Sequence, residues 1–404
     1  MKVLVLNSGS SSIKYQLFNM EDKTVLTSGI VEQIGEPAGR LRYKWLDEQG
    51  ETQEGIGEGV FADHSDGLKI VFDVTAKLGI IRDMKELYGI GHRVLHGGEA
   101  FWKPTLITGR VVEVIREMIP LGPLHNPPNL MGIEFMLKMT PDIPQVAVFD
   151  TAFGMTMPSY AYHYALPYAL YKEHHIRRYG FHGTSHRYVS RMGAKFLGKP
   201  LDSTSMITIH LGNGSSISAI RNGECVDTSM GMTPLEGLVM GTRCGDIDPA
   251  IVPFLGKTLR MTHDQLDTLM NKQSGLKGIC GTNDMREVQR LAASGNLNAH
   301  LAIDMFCYRI KKYIGSYFAA LGKVDAIIFT GGIGENSESI RRQCCSGLEN
   351  LGITLEADKN ESGSRVTREV SAVSSRIRVL VIPTNEELEI AQQTVECIRA
   401  FEHK

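Results

Sequence analysis

Residues 1–18 read MKVLVLNSGSSSIKYQLF. Lys2–Leu6 is an apolar run rich in Val and Leu, and Ile13, Tyr15 and Leu17 alternate with Lys14 and Gln16. A period of two marks a strand with one buried face. Between the runs lies a turn of small polar residues, Asn7 to Ser12. The order is strand, turn, strand, whereas a Walker loop needs a helix after its turn. The same device returns at residues 206–223, MITIHLGNGSSISAIRNG. Met206–Leu211 is a strand, Gly212 to Ser216 a turn, and Ile217–Ile220 leads on to Asn222-Gly223, a two-residue hairpin turn. N-x-G-S-S is thus echoed by G-N-G-S-S, an internal duplication with one hairpin per domain.

A third glycine-rich turn, TGGIGEN at 330–336, follows the strand Ala326–Phe329 and precedes a helical pattern of Ile340, Cys344 and Leu348. A last strand, Val379–Ile382, ends at Pro383. Thr384 with Glu387 reads as a capping box, and Leu388, Ala391, Val395 and Ile398 carry a helix onward. Helices are also expected over Leu130–Met139 and His300–Leu321. Interspersed strands and helices make the class α/β, and 404 residues call for two domains.

The bulk numbers exclude several classes. Net charge is -2 with no basic stripe, so nucleic acid is not an expected partner. No apolar run approaches the roughly 18 residues of a membrane span, and the N-terminus does not read as a secretory leader. The 7 cysteines are odd in number and include no CxxC, which suits neither a disulfide framework nor a zinc knuckle. The cytoplasm is the expected compartment.

Gly and Ser let backbone N–H groups and hydroxyls approach phosphate oxygens, and Lys14 adds a point charge. One such turn is ordinary. Two, followed by TGGIGEN, each leaving a strand, resemble the ATP site of the actin, sugar-kinase and heat-shock-protein superfamily. Gly193 to Pro200 mimics a Walker loop, but Pro200 replaces the Ser or Thr that would hold magnesium, so it reads as a helix ending at Gly198. His182 and His186 have the spacing of a zinc helix without its glutamate, and no zinc is expected there.

The remaining motifs put polar groups at strand ends, where α/β proteins bind ligands. GHRVLHGGE (91–99) carries Arg93, and LGPLHNPPN (121–129) reads as a rigid polar turn. Val146–Phe149 ends in Asp150, YGFHGTSH (179–186) holds His182, and MGTRCGDIDP (240–249) holds Arg243. Taken singly, an aspartate after a strand is a helix cap and an arginine a salt bridge. Together they suit phosphoryl transfer, whose transition state needs cationic clamps and metal. Arg93 and Arg243 are bidentate donors to carboxylate or phosphate. Asp150 and Glu386 are hard oxygen ligands for Mg²⁺. His182 can donate to the phosphoryl group. An acceptor already ionised at pH 7 needs no general base, only orientation and relief of charge repulsion.

With NSGSSSIK, PLHNPPN, VFDTAF, HLGNGSS, GTNDMR and IPTNEE added, the chain resembles the acetate and propionate kinase family end to end. The resemblance implies two similar actin-like (ribonuclease H-like) domains, 1–150 and 151–384, with an ATP cleft between them and the helix 385–404 returning to the first. It implies Mg²⁺, with Mn²⁺ as an alternative, ATP and acetate as substrates, direct in-line transfer to give acetyl phosphate and ADP, and a homodimer that closes on its substrates. Arg93 and His125 would serve the acid, with Leu95, Leu124, Phe181 and Pro234 lining the acyl pocket. Asn7, Asp150 and Glu386 would hold the metal, and His182 and Arg243 the transition state. Ser12, Lys14 and His210, Leu211, Gly212, Asn213 and Gly214 would meet phosphates. Asp284, Met285 and Arg286 with Gly331, Gly332, Ile333, Gly334 and Glu335 would hold adenosine. Where the family often reads DTAFHQTMP, this chain has Gly154 and Met155, so a looser geometry is expected just after Asp150. Leu95, where many relatives carry Val, should favour acetate over propionate.

Overall fold

The computed structural model describes residues 1–47 and 49–403. The chain divides into two compact units, Met1–Phe153 with Asn385–Lys404, and Gly154–Thr384.

In the first unit, β1 (Lys2–Ser8) and β2 (Ser12–Asn19) form the antiparallel hairpin expected from their alternation, with Asn7 opposite Lys14. The sheet adds β3 (Thr24–Glu32), β4 (Gly39–Leu46), β5 (Thr52–Gly59), β6 (Leu87–Val94), β7 (Thr105–Leu106) and β8 (Gln145–Phe149). Its order among the described residues is β5-β4-β3-β2-β1-β6-β8-β7. β1, β6 and β8 run parallel. Parallel strands are covered on both faces, which is why β1 and β8 read as unbroken apolar runs. Leu4 and Leu6 face the helices His64–Lys77 and Asn126–Met139 through Leu68, Val71 and Met136. Val3 and Val5 face the opposite way, with Val146 and Val148, onto Ile390, Ala391, Val395 and Ile398 of the C-terminal helix Glu386–Glu402.

Two local readings change. LGPLHNPPN is not a turn throughout: Asn126 to Asn129 form the first turn of a helix, where proline's missing N–H goes unused. The last helix is capped by Asn385, whose side chain accepts from Leu388 N at 2.9 Å. Thr384 does not cap it, because its N–H donates to Glu335 Oε1 (3.1 Å) and its hydroxyl is paired with Ser185 Oγ (2.8 Å).

The second unit is built from β9 (Ser205–Leu211), β10 (Ser215–Arg221), β11 (Glu224–Thr228), β12 (Ala326–Thr330), β13 (Arg368–Glu369) and β14 (Arg378–Val381). The order is β11-β10-β9-β12-β14-β13. β9 pairs antiparallel with β10 and parallel with β12, as β1 does with β2 and β6. β12–β14 is parallel and β14–β13 antiparallel, matching β6–β8 and β8–β7. Six strands therefore repeat in order and direction, and the first unit adds β4 and β5. Asn222 and Gly223, both at positive φ (56° and 81°), make the expected β10–β11 turn. The third glycine-rich segment is not an open turn: Gly331–Asn336 is a short helix. Helix Gly183–Leu197 ends at Gly198 in the left-handed region, which disposes of the Walker mimic. Among the described residues no helix is long and apolar enough to cross a membrane.

Candidate functional site

In the first unit, parallel pairing sets Arg93 beside Val148 and Val94 beside Phe149, and Asp150 N donates to Val94 O at 2.9 Å. Asn7 lies one residue beyond the Leu6–His92 pair, level with Arg93. Asn7, Arg93 and Asp150 thus stand at the carboxyl ends of three adjacent parallel strands. Arg93 donates through Nε and Nη2 to Asp150 Oδ2 at 3.0 and 2.5 Å. Glu386, first residue of its helix, brings Oε2 within 3.9 Å of Arg93 Nη2. Burial works against the Arg93 charge, but Asp150 and Glu386 outweigh it and hold the guanidinium above its ordinary range. Burial pushes the Glu386 carboxyl up to about 7; Arg93 opposes this, and the charges of Asp150 and Glu387 add to it. Glu386 therefore sits where a second cation would relieve it.

Among the described residues no group of three or more His, Cys, Asp or Glu converges as a metal cage. Two carboxylates with the amide oxygen of Asn7 are nonetheless the hard, partial donor set that Mg²⁺ uses beside waters and substrate phosphates, so these residues fit that ion.

Buried asparagines shape the loop after β6. Asn129 accepts from Leu95 N (3.1 Å) and donates to Ser8 O (2.7 Å), and Asn126 holds His96 by both its N–H and its carbonyl. Leu95 is buried, packed toward Gly122. Leu124, expected in the acyl pocket, instead shows 59% of its surface to solvent, and His125 is exposed too.

In the second unit, His182 precedes helix Gly183–Leu197 with φ 55°, a left-handed conformation uncommon outside glycine. Its ring stacks on His210 at 4.4 Å, and its Nδ1 lies 2.9 Å from Ser216 Oγ. A Cβ added to Gly214 would stand 3.3 Å from both Arg243 Nη1 and His182 Cε1, so the glycine turn, the arginine and the histidine enclose one point. Arg243 Nη1 donates to Pro234 O at 3.1 Å. Burial lowers its pKa, and among the described residues no neighbouring charge offsets this. A guanidinium desolvated without a counter-ion is poised for an anion. Phe181 is buried and Pro234 partly buried.

Next to that turn opens a cavity of about 650 Å³, lined by Gly212, Asn213, Asn283, Asp284, Met285, Arg286, Gln289, Gly332, Ile333, Asn336, Ser337 and Arg365. This volume suits a drug-sized ligand. Seven of these residues were singled out from sequence. Asn283 and Asn336 sit inside the GTNDMR and TGGIGEN motifs; Gln289 lies one helical turn beyond Met285; Ser337 and Arg365 carry no motif. Other expected nucleotide residues lie outside the lining. His210 and Leu211 are buried in β9. Glu335 is spent inside the fold, its Oε1 accepting from Gly331 N (2.9 Å) and Thr384 N (3.1 Å). Ser12 and Lys14 belong to the first unit.

The expected looseness after Asp150 is overturned. Gly154 is buried in a 3-10 turn, and a Cβ there would stand 1.9 Å from Tyr179 O. The backbone approach leaves no room for a histidine.

A profile of the acetokinase family matches residues 2–392. An acetate kinase of Oleidesulfovibrio alaskensis is 54% identical over 401 residues, covering 99% of this chain and 100% of that one. The crystal structure of Porphyromonas gingivalis acetate kinase superposes with a TM-score of 0.92 at 44% identity, covering 98% of this chain and 99% of that one. A propionate kinase from Francisella tularensis gives 0.91 at 43%, with the same coverage. Profile, identity and superposition all run over nearly the full length, and the chain belongs to the acetokinase family.

Proposed function

We propose that this chain transfers the γ-phosphoryl group of ATP to acetate, reversibly and directly, giving acetyl phosphate and ADP. The observation that carries it is Arg243, a part-buried, desolvated guanidinium that has no counter-ion among the described residues, set beside His182 at a glycine turn that adjoins the cavity. Such a centre calls for a phosphoryl group. The cavity takes the nucleotide, with Gly332 and Ile333 on one wall and Asp284 to Arg286 on another. Its open backbone at Gly212 and Asn213 leads the phosphates toward Arg243 and His182, which stabilise the charge of the moving group. Arg93 orients the acid carboxylate. Asp150, Glu386 and Asn7 hold Mg²⁺, which neutralises phosphate charge when bound. Leu95 limits the acyl chain. The protein is cytoplasmic and homodimeric on this reading. The likeness to a propionate kinase keeps that acid as the second reading.

The test traps acyl phosphate with hydroxylamine. Purified protein receives Mg-ATP and, in parallel, acetate, propionate, butyrate or glycerol. Strong product from acetate, less from propionate and none from glycerol is expected. More product from propionate than acetate would transfer the assignment to the second reading. ATP binding without product from any acid would overturn both.

A further inference from the structure

What His182 can donate depends on which ring nitrogen holds its proton, and its neighbours decide that. A run of hydrogen bonds leads from it into the core. His182 Nδ1 lies 2.9 Å from Ser216 Oγ, Ser216 Oγ lies 2.7 Å from His186 Nε2, and His186 Nδ1 lies 2.7 Å from Thr208 Oγ1. Thr208 and Ser216 are wholly buried and His186 is 1% exposed. Among the described residues, the Thr208 hydroxyl has His186 as its side-chain partner and the Ser216 hydroxyl has the two imidazoles.

Each hydroxyl has one proton, and that fixes the direction of the chain. Burying the Thr208 proton without an acceptor would cost about 1–3 kcal/mol, while an unused hydroxyl lone pair costs less. Thr208 therefore donates to His186 Nδ1. His186, kept neutral by its burial, carries its own proton on Nε2 and donates to Ser216 Oγ. Ser216 then donates to His182 Nδ1. The remaining proton of a neutral His182 is on Nε2, the nitrogen facing the Gly214 turn, 3.4 Å from where a Gly214 Cβ would stand. Desolvation by burial, helped by the His210 charge, pushes the His186 pKa down to about 3, which agrees with a neutral ring. In the reverse orientation every donor turns around and the Thr208 proton is stranded.

We infer that Thr208, His186 and Ser216 are positioning residues that lock His182 in its Nε2–H tautomer, so that it meets the transferring group as a neutral hydrogen-bond donor. The tautomer follows from the hydrogen bonds of two neutral rings. Only its use in phosphoryl transfer rests on the function proposed above.

The experiment records long-range ¹H–¹⁵N imidazole spectra of the full-length protein labelled with ¹⁵N-histidine, assigned through His182→Asn and His186→Asn. The expected wild-type spectrum shows a protonated Nε2 and a bare Nδ1 on both rings. A His182 proton on Nδ1, or protons on both nitrogens at neutral pH, would overturn the relay. Ser216→Ala should shift the His182 signals toward a mixture of tautomers, and Ser216→Thr should restore them. Thr208→Val gives a second break in the chain with the same expected shift. In turnover, Ser216→Ala should lower kcat by about 10- to 100-fold, the usual effect of losing a partner that orients a working side chain, with KM for ATP and acetate nearly unchanged. The stated tautomer with an unchanged kcat in Ser216→Ala would overturn the positioning role. A protein that forms no acyl phosphate would defeat the functional reading, while the spectra still decide the tautomer.

Discussion

Arg243→Met separates function from stability. Methionine keeps much of the volume and removes the charge. A preorganised donor aimed at developing charge is worth about 10²–10³ in rate, and an arginine on a transferring phosphoryl about 10³–10⁵, so kcat should fall at least 10³-fold, or about 4 kcal/mol of barrier. The folded state loses its hydrogen bond to Pro234 O, worth about 1.5–3 kcal/mol for a charged donor. It also sheds the desolvation cost of a guanidinium that no neighbouring charge among the described residues offsets. These effects oppose one another, leaving a net change of about 1 kcal/mol or less, or roughly 2–4 °C in unfolding midpoint for a domain of this size. The assay pairs hydroxylamine-trapped turnover with thermal unfolding of the ligand-free protein. A loss of turnover under tenfold would remove Arg243 from the chemistry. A midpoint collapsing by more than about 10 °C would make it a structural tie instead.

Leu95→Ala should raise the propionate-to-acetate ratio of kcat/KM by about 10-fold or more, since a methylene in an apolar pocket is worth roughly 1–3 kcal/mol; an unchanged ratio would take Leu95 out of the pocket. His92 is buried against Gln145, and burial pushes its pKa down from 6.5 to about 4. Its stability contribution is therefore full above pH ~6.5 and lost as pH falls through ~4, about 3 kcal/mol in all; urea unfolding of His92→Gln should show that much less loss over the range, and equal slopes would refute the assignment. Arg341 donates to Gly334 O (2.9 Å), Glu335 O (3.0 Å) and Asn360 Oδ1 (2.7 Å) from a buried position, so Arg341→Leu should cost about 3–5 kcal/mol in urea unfolding. It should also raise KM for ATP, because the helix it braces lines the cavity through Gly332, Ile333 and Asn336; an unchanged KM would confine Arg341 to folding.

Where a residue's role is local, the sequence carried it. The β1–β2 and β10–β11 hairpins were legible because alternation and Asn-Gly chemistry act within a few residues. Arg93 and Asp150 stood out because charge at a strand end is conspicuous, and Arg243 because it is a lone cation in a glycine-rich loop. The errors came where a distant contact overrode a local pattern. Thr384 looked like a helix cap until Glu335 took its N–H and Ser185 paired with its hydroxyl. Gly154 looked like slack until the Tyr179 carbonyl was placed against it. Glu335 read as a nucleotide residue from its motif alone, and the structure adds that its Oε1 ties two backbone amides together, which no local pattern signals. Arg365 reaches the cavity from a segment whose composition gives no periodic or motif signal at all.

The strand order carries a further consequence. With the same connection twice, equivalent positions can be compared directly. The end of β1 leads into NSGSSS and the end of β9 into GNGSS. The end of β6 carries Arg93, whereas the end of β12 carries Thr330 and two glycines. After β8 comes Asp150; after β14 come Ile382, Pro383 and Thr384. One copy thus places fixed charge at its strand ends and the other places glycine, hydroxyl and backbone. Fixed charges suit a carboxylate and a metal, whose positions must be held against repulsion. Glycine and backbone N–H suit a polyphosphate, which needs close approach more than a counter-ion. Arg243 and His182 fit this division because neither lies at the end of a sheet strand. They come from a loop and a helix start, the variable parts of the repeat, where chemistry can be added without disturbing the sheet.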